Sequence, residues 1–462
     1  MSSQESESSR REFLIQGTQA AAGIVAAGAL ASSAASRTLP IVQSRVIGAN
    51  DRINMAVIGI RSRGMQLAKG FAKIPNVHIK TLVDVDENLF PERVGQMEEA
   101  QGSAPATEWD LRRALDDPDI NAVAIAAPDH WHALATVWAC QAGKHVYVEK
   151  PCCHNVWEGR KMVEAARRYD RMVAVGFQNR SIANVRAAMK FLHGGGLGDV
   201  YMARGLCFKP RESIGHRQNE PVPEGVHYDL WLGPAPQRPF NRNHFHYEWH
   251  WNWTYGSGDI GNQGPHQFDI ARWGLNESVH PVRISSSGGY FKWDSDQQTP
   301  NTQTATFEYA DGKILQFEVR GLYTNAEDGI RIGNLFFGTE GWMHVNGSTW
   351  KTYFGRKNEP GPSSESAEEF ADPANLAGTG GGGHFANFIF ALRSGDRNNL
   401  TSEIEQGFIS TALPLLANIA YRTGAALSFD GAAEHFTGQL APEANELLTR
   451  NYREPYVVPK QV

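Results

Sequence analysis

Short apolar runs alternate with stretches of helical periodicity between residues 52 and 180. The runs cover residues 52–60, 77–83, 121–127, 145–148 and 172–176. Helical patterns separate them, most clearly over residues 133–142 and 156–169. This alternation predicts an α/β domain, built as a doubly wound parallel sheet with helices on both faces. In such sheets ligands bind at the carboxyl ends of the strands.

The second half of the chain has a different pattern. Apolar runs separated by turns occur at residues 200–208, 282–290, 302–309, 314–319, 335–337 and 342–345. They predict an open antiparallel sheet, in which Asp311-Gly312 forms a hairpin turn. Helical patterns cover residues 185–192, 384–392 and 403–421, and a flexible loop is expected over residues 357–383. We therefore expect an α/β domain over 52–180, an α+β domain over 181–440 and a C-terminal tail over 441–462.

The N-terminal residues resemble a twin-arginine export signal. Arg10-Arg11 precede a weakly apolar run, rich in Ala and Gly, that ends near residue 35. A helical tail or a membrane anchor is the alternative, but the run is too rich in Ala and Gly for an anchor. No other stretch reaches the length of about eighteen apolar residues that a span needs. We expect residues 1–35 to be removed and the protein to be periplasmic or secreted, with no membrane contact afterwards.

Composition narrows the class of protein. The chain has 462 residues, of which 41% are hydrophobic and 20% charged, so a disordered chain is excluded. Lys and Arg number 44 against 50 Asp and Glu, which gives a net charge of −6 and argues against nucleic acid as the partner. Only 4 Cys are present, too few for a disulfide framework.

A glycine turn follows the first predicted strand. Gly59 permits a tight turn, and Gly64 lets the following helix pack closely on the strand, with its N-terminus facing a pyrophosphate. Asp84 ends the second strand, 20 residues after Gly64, where a carboxylate accepts the ribose hydroxyls of a dinucleotide. The pattern is that of a Rossmann nucleotide-binding turn.

The turn departs from the usual pattern at Arg61, which stands where a second glycine normally lets the pyrophosphate approach the backbone. With Ser62 and Arg63 it completes the candidate phosphate loop. The guanidinium groups of Arg61 and Arg63 could bind phosphate, including the 2′-phosphate of NADP. Asp84 favours NAD, since its carboxylate repels that phosphate.

Other candidate residues follow the later strands of the predicted sheet. They are Pro128, His132, Glu149, Lys150, Gln178, Asn179 and Arg180. From position alone Lys150 is equally well a surface lysine before a turn. Because Pro151 follows it, Lys150 is expected to be extended.

The glycine turn with Asp84, the segment APDHWH at residues 127–132 and the EKP at residues 149–151 resemble the glucose–fructose oxidoreductase/inositol dehydrogenase (Gfo/Idh/MocA) family. The resemblance covers about residues 52–430. It implies an NAD(P)-dependent oxidoreductase in which Lys150 lies beside the nicotinamide and the reacting carbon of a carbohydrate. It also implies cofactor contacts from the glycine turn, Pro128, His132 and Glu149, a cis peptide before Pro151, and a homo-oligomer.

The segment 258–269 resembles the family stretch in which an Asp and a His flank the substrate. His266 matches the histidine, but Asn262 occupies the aspartate position and cannot ionise. Pro265 fits the first position of a helix, so His266 would be a neutral base near the helix N-terminus. A core histidine is the alternative. Asp259 could replace the missing carboxylate if its loop folds back.

Residues 244–255 read HFHYEWHWNWTY. In an extended chain the tryptophans, among them Trp251, would share one face and could bind a sugar ring. An aromatic core strand is the alternative. A metal site through His244, His246, Glu248 and His250 lacks any CxxC or HExxH motif, so we expect no metal.

Three functions remain open from the sequence. The first is an exported carbohydrate oxidoreductase, with Lys150 and His266 as acid/base groups, while Gln178, Asn179, Arg180, Trp251 and Asn262 bind substrate. The second is a redox-neutral glycosidase or lyase that oxidises its substrate transiently. The third is a non-catalytic carbohydrate-binding protein, suggested by Arg61 and Asn262.

Overall fold

The computed structural model describes residues 48, 51–365 and 383–462. The export signal predicted at residues 1–35 lies outside them, and so does most of the loop predicted at 357–383. Within the described residues, no helix combines the length and apolar character needed to cross a membrane.

Residues 53–175 form a six-stranded parallel sheet in the order β3-β2-β1-β4-β5-β6. The strands are β1 (Ile53–Ile58), β2 (Val77–Val83), β3 (Ala106–Glu108), β4 (Ala122–Ile125), β5 (His145–Val148) and β6 (Val173–Val175). The helices between them are α1 (Arg63–Ala72), α2 (Phe90–Gln101), α3 (Leu111–Asp116), α4 (Asp129–Gln141) and α5 (Val156–Arg168). The cores of β1, β2, β4, β5 and β6 are buried, because helices cover both faces of the sheet, whereas the edge strand β3 is largely exposed. This confirms the predicted doubly wound α/β sheet.

A ten-stranded sheet follows, in the order β14-β13-β12-β11-β7-β10-β9-β8-β15-β16. Its strands are β7 (Val200–Phe208), β8 (Arg283–Gly289), β9 (Thr302–Glu308), β10 (Ile314–Arg320), β11 (Ile332–Gly338), β12 (Gly341–Val345), β13 (Trp350–Phe354), β14 (Glu359–Ser363), β15 (Leu427–Asp430) and β16 (His435–Thr437). The helices are α6 (Ala183–His193), α7 (Tyr228–Leu232), α8 (Gly258–Asn262), α9 (Gly264–Gly274), α10 (Gly383–Ser394), α11 (Ile404–Thr423) and α12 (Ala441–Glu446).

The second sheet is antiparallel except at its centre, where β7 and β10 pair in parallel. A parallel pair needs a long crossover, which the chain supplies through α7, α8 and α9 before it returns to the sheet. The hairpin at Asp311-Gly312 is confirmed, since Gly312 has a φ of +89° between β9 and β10.

The prediction of a flexible loop over residues 357–383 was wrong in part. Residues 359–363 form β14 at the edge of the sheet, where Pro360 and Pro362 are tolerated because an edge strand leaves one side unpaired. Strand β13, whose central residue Thr352 is buried, was not predicted from the sequence.

The final residues return to the first sheet. Arg450 forms an ion pair with the fully buried Glu158 of α5 at 3.0 Å, and Tyr456 packs edge-on against Trp131 of α4 at 5.6 Å between ring centroids. These contacts fix the outer side of α4, whose N-terminus enters the candidate site.

Candidate active site

One cavity of about 420 Å³ opens along the carboxyl ends of β1, β2, β4 and β5. Most residues predicted to bind cofactor line it: Gly59, Arg61, Ser62, Arg63, Asp84, Pro128, His132, Glu149 and Lys150. Three residues predicted to bind substrate line it as well: Gln178, Asn262 and His266. The two predicted groups therefore belong to a single cavity.

The glycine turn between β1 and α1 is as tight as the sequence predicts. Gly59 has a φ of +83°, and a Cβ there would lie 2.7 Å from the backbone of Ala126. A Cβ on Gly64 would lie 1.7 Å from the Gly59 carbonyl oxygen, so only glycine fits. Gly64 does not line the cavity; its part is to bring α1 close to β1.

Asp84 joins the end of β2 to this turn. Its carboxylate accepts the Ile60 N–H at 2.8 Å and the Asp86 N–H at 3.0 Å. Burial nevertheless raises the pKa of Asp84 to about 6. The carboxylate is held beside the turn, where a ribose would lie.

The two arginines of the turn have different surroundings. Arg63 donates to Glu149 at 2.8 Å and to Gln66 at 3.0 Å, so its guanidinium is bound within the protein. This makes Arg63 unsuitable for a 2′-phosphate, contrary to one expectation from the sequence. Arg61 is exposed and lines the cavity near Asp84, and remains a candidate phosphate ligand.

Lys150 lies at the other end of the cavity and is joined to Pro151 by a cis peptide bond, as the family resemblance implied. Its ammonium donates to the backbone carbonyl oxygen of Asn262 at 2.6 Å. Burial lowers the pKa of Lys150, while the carboxylates of Glu149 and Asp129 oppose that change. A lysine with a lowered pKa can act as a base more readily than an exposed one.

His266 faces the same space from the first turn of α9, which includes Pro265 at its start as predicted. Burial lowers the pKa of His266 well below its usual range, and the charges of Lys150 and Arg63 act in the same direction. The ring is therefore neutral, chiefly through burial rather than through the helix dipole. Its Nδ1 has no hydrogen-bond partner within the described residues.

His132 and Glu149 hold the cavity wall together. The two ring nitrogens of His132 lie 2.7 Å from the carbonyl oxygens of Pro151 and Ala127. Glu149 binds Arg63 and accepts from Gln178 at 3.2 Å. These contacts fix the segment that carries Lys150.

Three residues predicted to bind substrate do not reach the cavity. Arg180 is paired with buried Asp269 at 2.7 Å, since a buried guanidinium requires a partner, and the neighbouring Asn179, in the same 3₁₀ turn, is not among the residues that line the cavity. Trp251 donates to Glu248 at 3.0 Å and packs under Arg211. The structure thus gives Arg180 and Trp251 protein partners outside the cavity, and the substrate role predicted for Asn179 stays a prediction.

The aromatic segment is not an extended strand. Residues 248–251 form a 3₁₀ turn, which places Trp249 rather than Trp251 in the cavity wall. The predicted shared face of the tryptophans was therefore wrong. Trp249 packs in an aromatic core, whereas Trp251 lies under Arg211 and Trp253 under Arg422. Asp259 also fails as a replacement carboxylate, because Arg211 binds it at 3.0 Å away from the cavity.

The sequence missed most of the second wall. Residues 209–257, between β7 and α8, form what we call the cover segment, and seven of its side chains line the cavity: Leu230, Trp231, Phe245, His246, Tyr247, Trp249 and His250. No sequence motif identifies these seven side chains. The only indication in the sequence is the high density of aromatic residues in this segment. No group of three or more potential metal ligands occurs among the described residues.

The cover segment is joined to the nucleotide end of the sheet by backbone hydrogen bonds. The His227 N–H donates to Val85 at 2.8 Å, and the Glu87 N–H donates to Gly225 at 2.9 Å. The His227 ring stacks on Trp109 with centroids 4.3 Å apart and contacts the Glu87 carboxylate. The cover thus lies over the end of the cavity that contains Asp84.

Comparisons with known proteins agree with this geometry. Among curated proteins, levoglucosan dehydrogenase of Pseudarthrobacter phenanthrenivorans is 36% identical over 96 residues, which are 21% of this chain and 25% of that protein. A glycosyl hydrolase family 109 protein of Shewanella baltica is 30% identical over 169 residues, 34% of this chain and 37% of its own length. The matched part thus spans between a quarter and two fifths of these relatives.

A solved structure of levoglucosan dehydrogenase, in complex with NADH and levoglucosan, has the same fold. It superposes with a TM-score of 0.62 at 19% identity and covers 81% of this chain and 99% of that chain. At this identity the likeness concerns the fold alone.

Profiles of one oxidoreductase family match both halves of the chain. Residues 53–177 match its NAD-binding Rossmann fold, and residues 208–458 match its C-terminal alpha/beta domain. NAD is therefore the cofactor, and the residues of the glycine turn fit it, since Gly59 makes the tight turn at the end of β1 and the Asp84 carboxylate lies beside that turn, at the ribose position. The chain belongs to the GFO/IDH/MocA oxidoreductase family.

Proposed function

We propose that the protein is an exported oxidoreductase that transfers a hydride between a carbohydrate carbinol and a tightly held nicotinamide dinucleotide. The observation that carries the proposal is that Lys150, Asn262 and His266 converge at one end of a cavity whose other end holds Gly59 and Asp84. The levoglucosan bound in the structurally similar levoglucosan dehydrogenase supports a carbohydrate substrate.

The residues of the cavity have separate roles in the proposed reaction. Bound NAD supplies the hydride acceptor, and the protein must handle the hydroxyl proton. Lys150 is positioned to polarise or deprotonate the hydroxyl, and neutral His266 can accept or return a proton at its ring nitrogen. Gln178 and the Asn262 side chain are available to orient further hydroxyls. The aromatic wall of the cover excludes water from the reacting groups.

Tight retention of NAD follows from the proposed location. A freely exchanging dinucleotide would be lost outside the cytoplasm, whereas twin-arginine export can carry a folded protein with its cofactor. The cover supports retention, because it must separate from the sheet before the adenosine end can leave. Replacing Arg10 and Arg11 with Lys should leave precursor in the cytoplasm. Unchanged delivery would overturn the export route alone.

The deciding experiment is mass spectrometry of the nucleotide released from purified protein, followed by a carbohydrate panel. We expect NAD at close to one per chain and reduction of that nucleotide by one class of sugar. An empty site with activity dependent on millimolar NAD would contradict retention. Titration of stripped protein with NAD and NADP tests whether Asp84 or Arg61 decides the choice.

A redox-neutral glycosidase or lyase is the second candidate, favoured by the similarity to glycosyl hydrolase family 109 proteins. Both functions need the same Lys150 and NAD. Product analysis separates them, because net oxidation releases a ketose or lactone, whereas redox-neutral cleavage releases a free aglycone. A non-catalytic binding protein would yield neither product. Assembly into a homo-oligomer through the second sheet is likewise a proposal, and light scattering tests it.

A further inference from the structure

The substrate end of the cavity lacks the carboxylate that the family stretch would place at residue 262. Asn262 cannot ionise, and its backbone carbonyl, not a carboxylate, receives Lys150. Glu149 lines the cavity but is bound by Arg63 and Gln178. Asp259 is bound by Arg211 away from the cavity. A different carboxyl group, that of Asp129, lines the cavity beside Lys150.

The topology brings Asp129 to Lys150. β4 and β5 are adjacent parallel strands, with Ile125 opposite Val148. Asp129 follows the end of β4 and Lys150 follows the end of β5, and neighbouring strands lie about 4.8 Å apart. One turn further along α4, the Nδ1 of His132 lies 2.7 Å from the Pro151 carbonyl oxygen. The first turn of α4 is thereby packed on the segment that carries Lys150.

Asp129 is held in place, and no cation of the described residues forms an ion pair with it. It is only 2% exposed, and its Oδ2 accepts the Ser257 hydroxyl at 3.1 Å. The Ser257 carbonyl in turn accepts from Asn418 of α11 at 2.8 Å. Burial raises the pKa of Asp129, while the charge of Lys150 opposes the rise. Among the described residues no hydrogen bond or ion pair joins the Asp129 carboxyl group to the Lys150 ammonium, so the two groups interact through space.

We infer that Asp129 is a positioning residue for Lys150, whose carboxylate acts on the lysine across the shared cavity and sets its charge in place of the carboxylate missing at residue 262. The inference rests on the proposed function. As the carbinol is oxidised, its O–H bond breaks and the proton forms an N–H bond with neutral Lys150. The C–H electron pair leaves as hydride to the oxidised nicotinamide. The ammonium so formed is stabilised through space by the ionised Asp129 carboxylate and then releases its proton to solvent.

Other charged groups also face Lys150 and must be considered in any titration. They are Glu149 on its own segment, Arg63 of α1, Lys209 after β7, His132 of α4, His250 of the cover and His266 of α9. The test therefore changes Asp129 alone. Asp129→Asn keeps an oxygen that can accept from Ser257, so the local hydrogen bond is preserved.

The experiment measures Lys150 directly, in protein stripped of nucleotide. Acetylation of Lys150 by trace acetic anhydride is followed by mass spectrometry against pH, with the exposed Lys351 as internal reference. Asp129→Asn should move the Lys150 profile about one unit to lower pH, because an opposite charge has been removed. Asp129→Glu should restore part of the shift, and Ser257→Ala should give a smaller shift in the same direction. The Lys351 profile should not move.

Turnover provides the second readout. With an identified carbohydrate, the limb of the kcat/KM profile that reports Lys150 should move with the acetylation profile. An unmoved Lys150 profile in folded Asp129→Asn and Ser257→Ala proteins would overturn the inference. If instead the profile moves but no carbohydrate is turned over by the wild type, the proposed function fails while the proton coupling is retained.

Discussion

The two walls of the cavity are built from different kinds of structure. The sheet wall consists of residues at the ends of parallel strands, such as Gly59, Asp84 and Lys150, whose positions follow from the strand order. The cover wall consists of turns and short helices held by aromatic packing, for example Trp231 against Tyr255 at 4.8 Å between centroids. We expect the sheet wall to determine the chemistry and the cover to determine how long ligands stay.

The strongest test of the difference between the two walls is to remove the acid/base groups of the sheet wall and of α9. Lys150→Ala and His266→Ala should each lower turnover by about 10²–10⁴-fold, the usual contribution of a positioned proton-transfer group. Thermal stability should change little, since neither residue supports the sheet core. Lys351→Ala, on an exposed strand position, is the control. Near-full turnover in either site variant would remove that residue from its assigned role.

Changes in the cover segment should alter the rate of NAD dissociation rather than the chemical step. His227→Ala removes the ring that stacks on Trp109 and contacts Glu87, while the backbone bonds to Val85 remain. We expect NAD to dissociate about tenfold faster, equivalent to about 1.4 kcal/mol. Nucleotide fluorescence after dilution into excess unlabelled NAD measures the rate. Tyr323→Ala, an exposed aromatic outside the cavity, should have the wild-type rate. Equal rates in both variants would show that the cover does not retain the cofactor.

The contrast between the walls also explains which predictions succeeded. Asp84 and Lys150 could be located because strand, turn and helix follow each other locally, and the sheet brings their ends together. Trp249 could not be chosen over Trp251, because the 3₁₀ turn at residues 248–251 depends on packing from distant parts of the chain. Arg180 was misassigned for the same reason. Its buried partner Asp269 comes from α9, and no sequence spacing relates the two.

A third experiment uses the pH dependence of NAD affinity to test the nucleotide end of the cavity separately from the substrate end. Asp84 must be ionised to accept ribose hydroxyls, and its pKa is about 6 because of burial. Acidification through that value protonates the carboxylate, so NAD affinity should fall about tenfold between pH 7 and pH 5. Calorimetric titration of stripped protein measures it. In Asp84→Asn the affinity should be low and nearly independent of pH over this range. A wild-type affinity that stayed constant would assign the ribose contact to another group.

The smallest expected effect compares two tryptophans of the cover that are two residues apart. Trp249 lines the cavity, whereas Trp251 is buried behind it, donating to Glu248 and packing under Arg211. Trp249→Ala should raise the KM for the carbohydrate about fivefold, because an aromatic contact of about 1 kcal/mol is lost. Trp251→Ala should leave KM unchanged and lower the melting temperature instead, since it leaves a gap in packed structure. Steady-state kinetics and thermal unfolding of both variants measure the two effects. A raised KM for Trp251→Ala alone would restore the extended aromatic face that the sequence suggested.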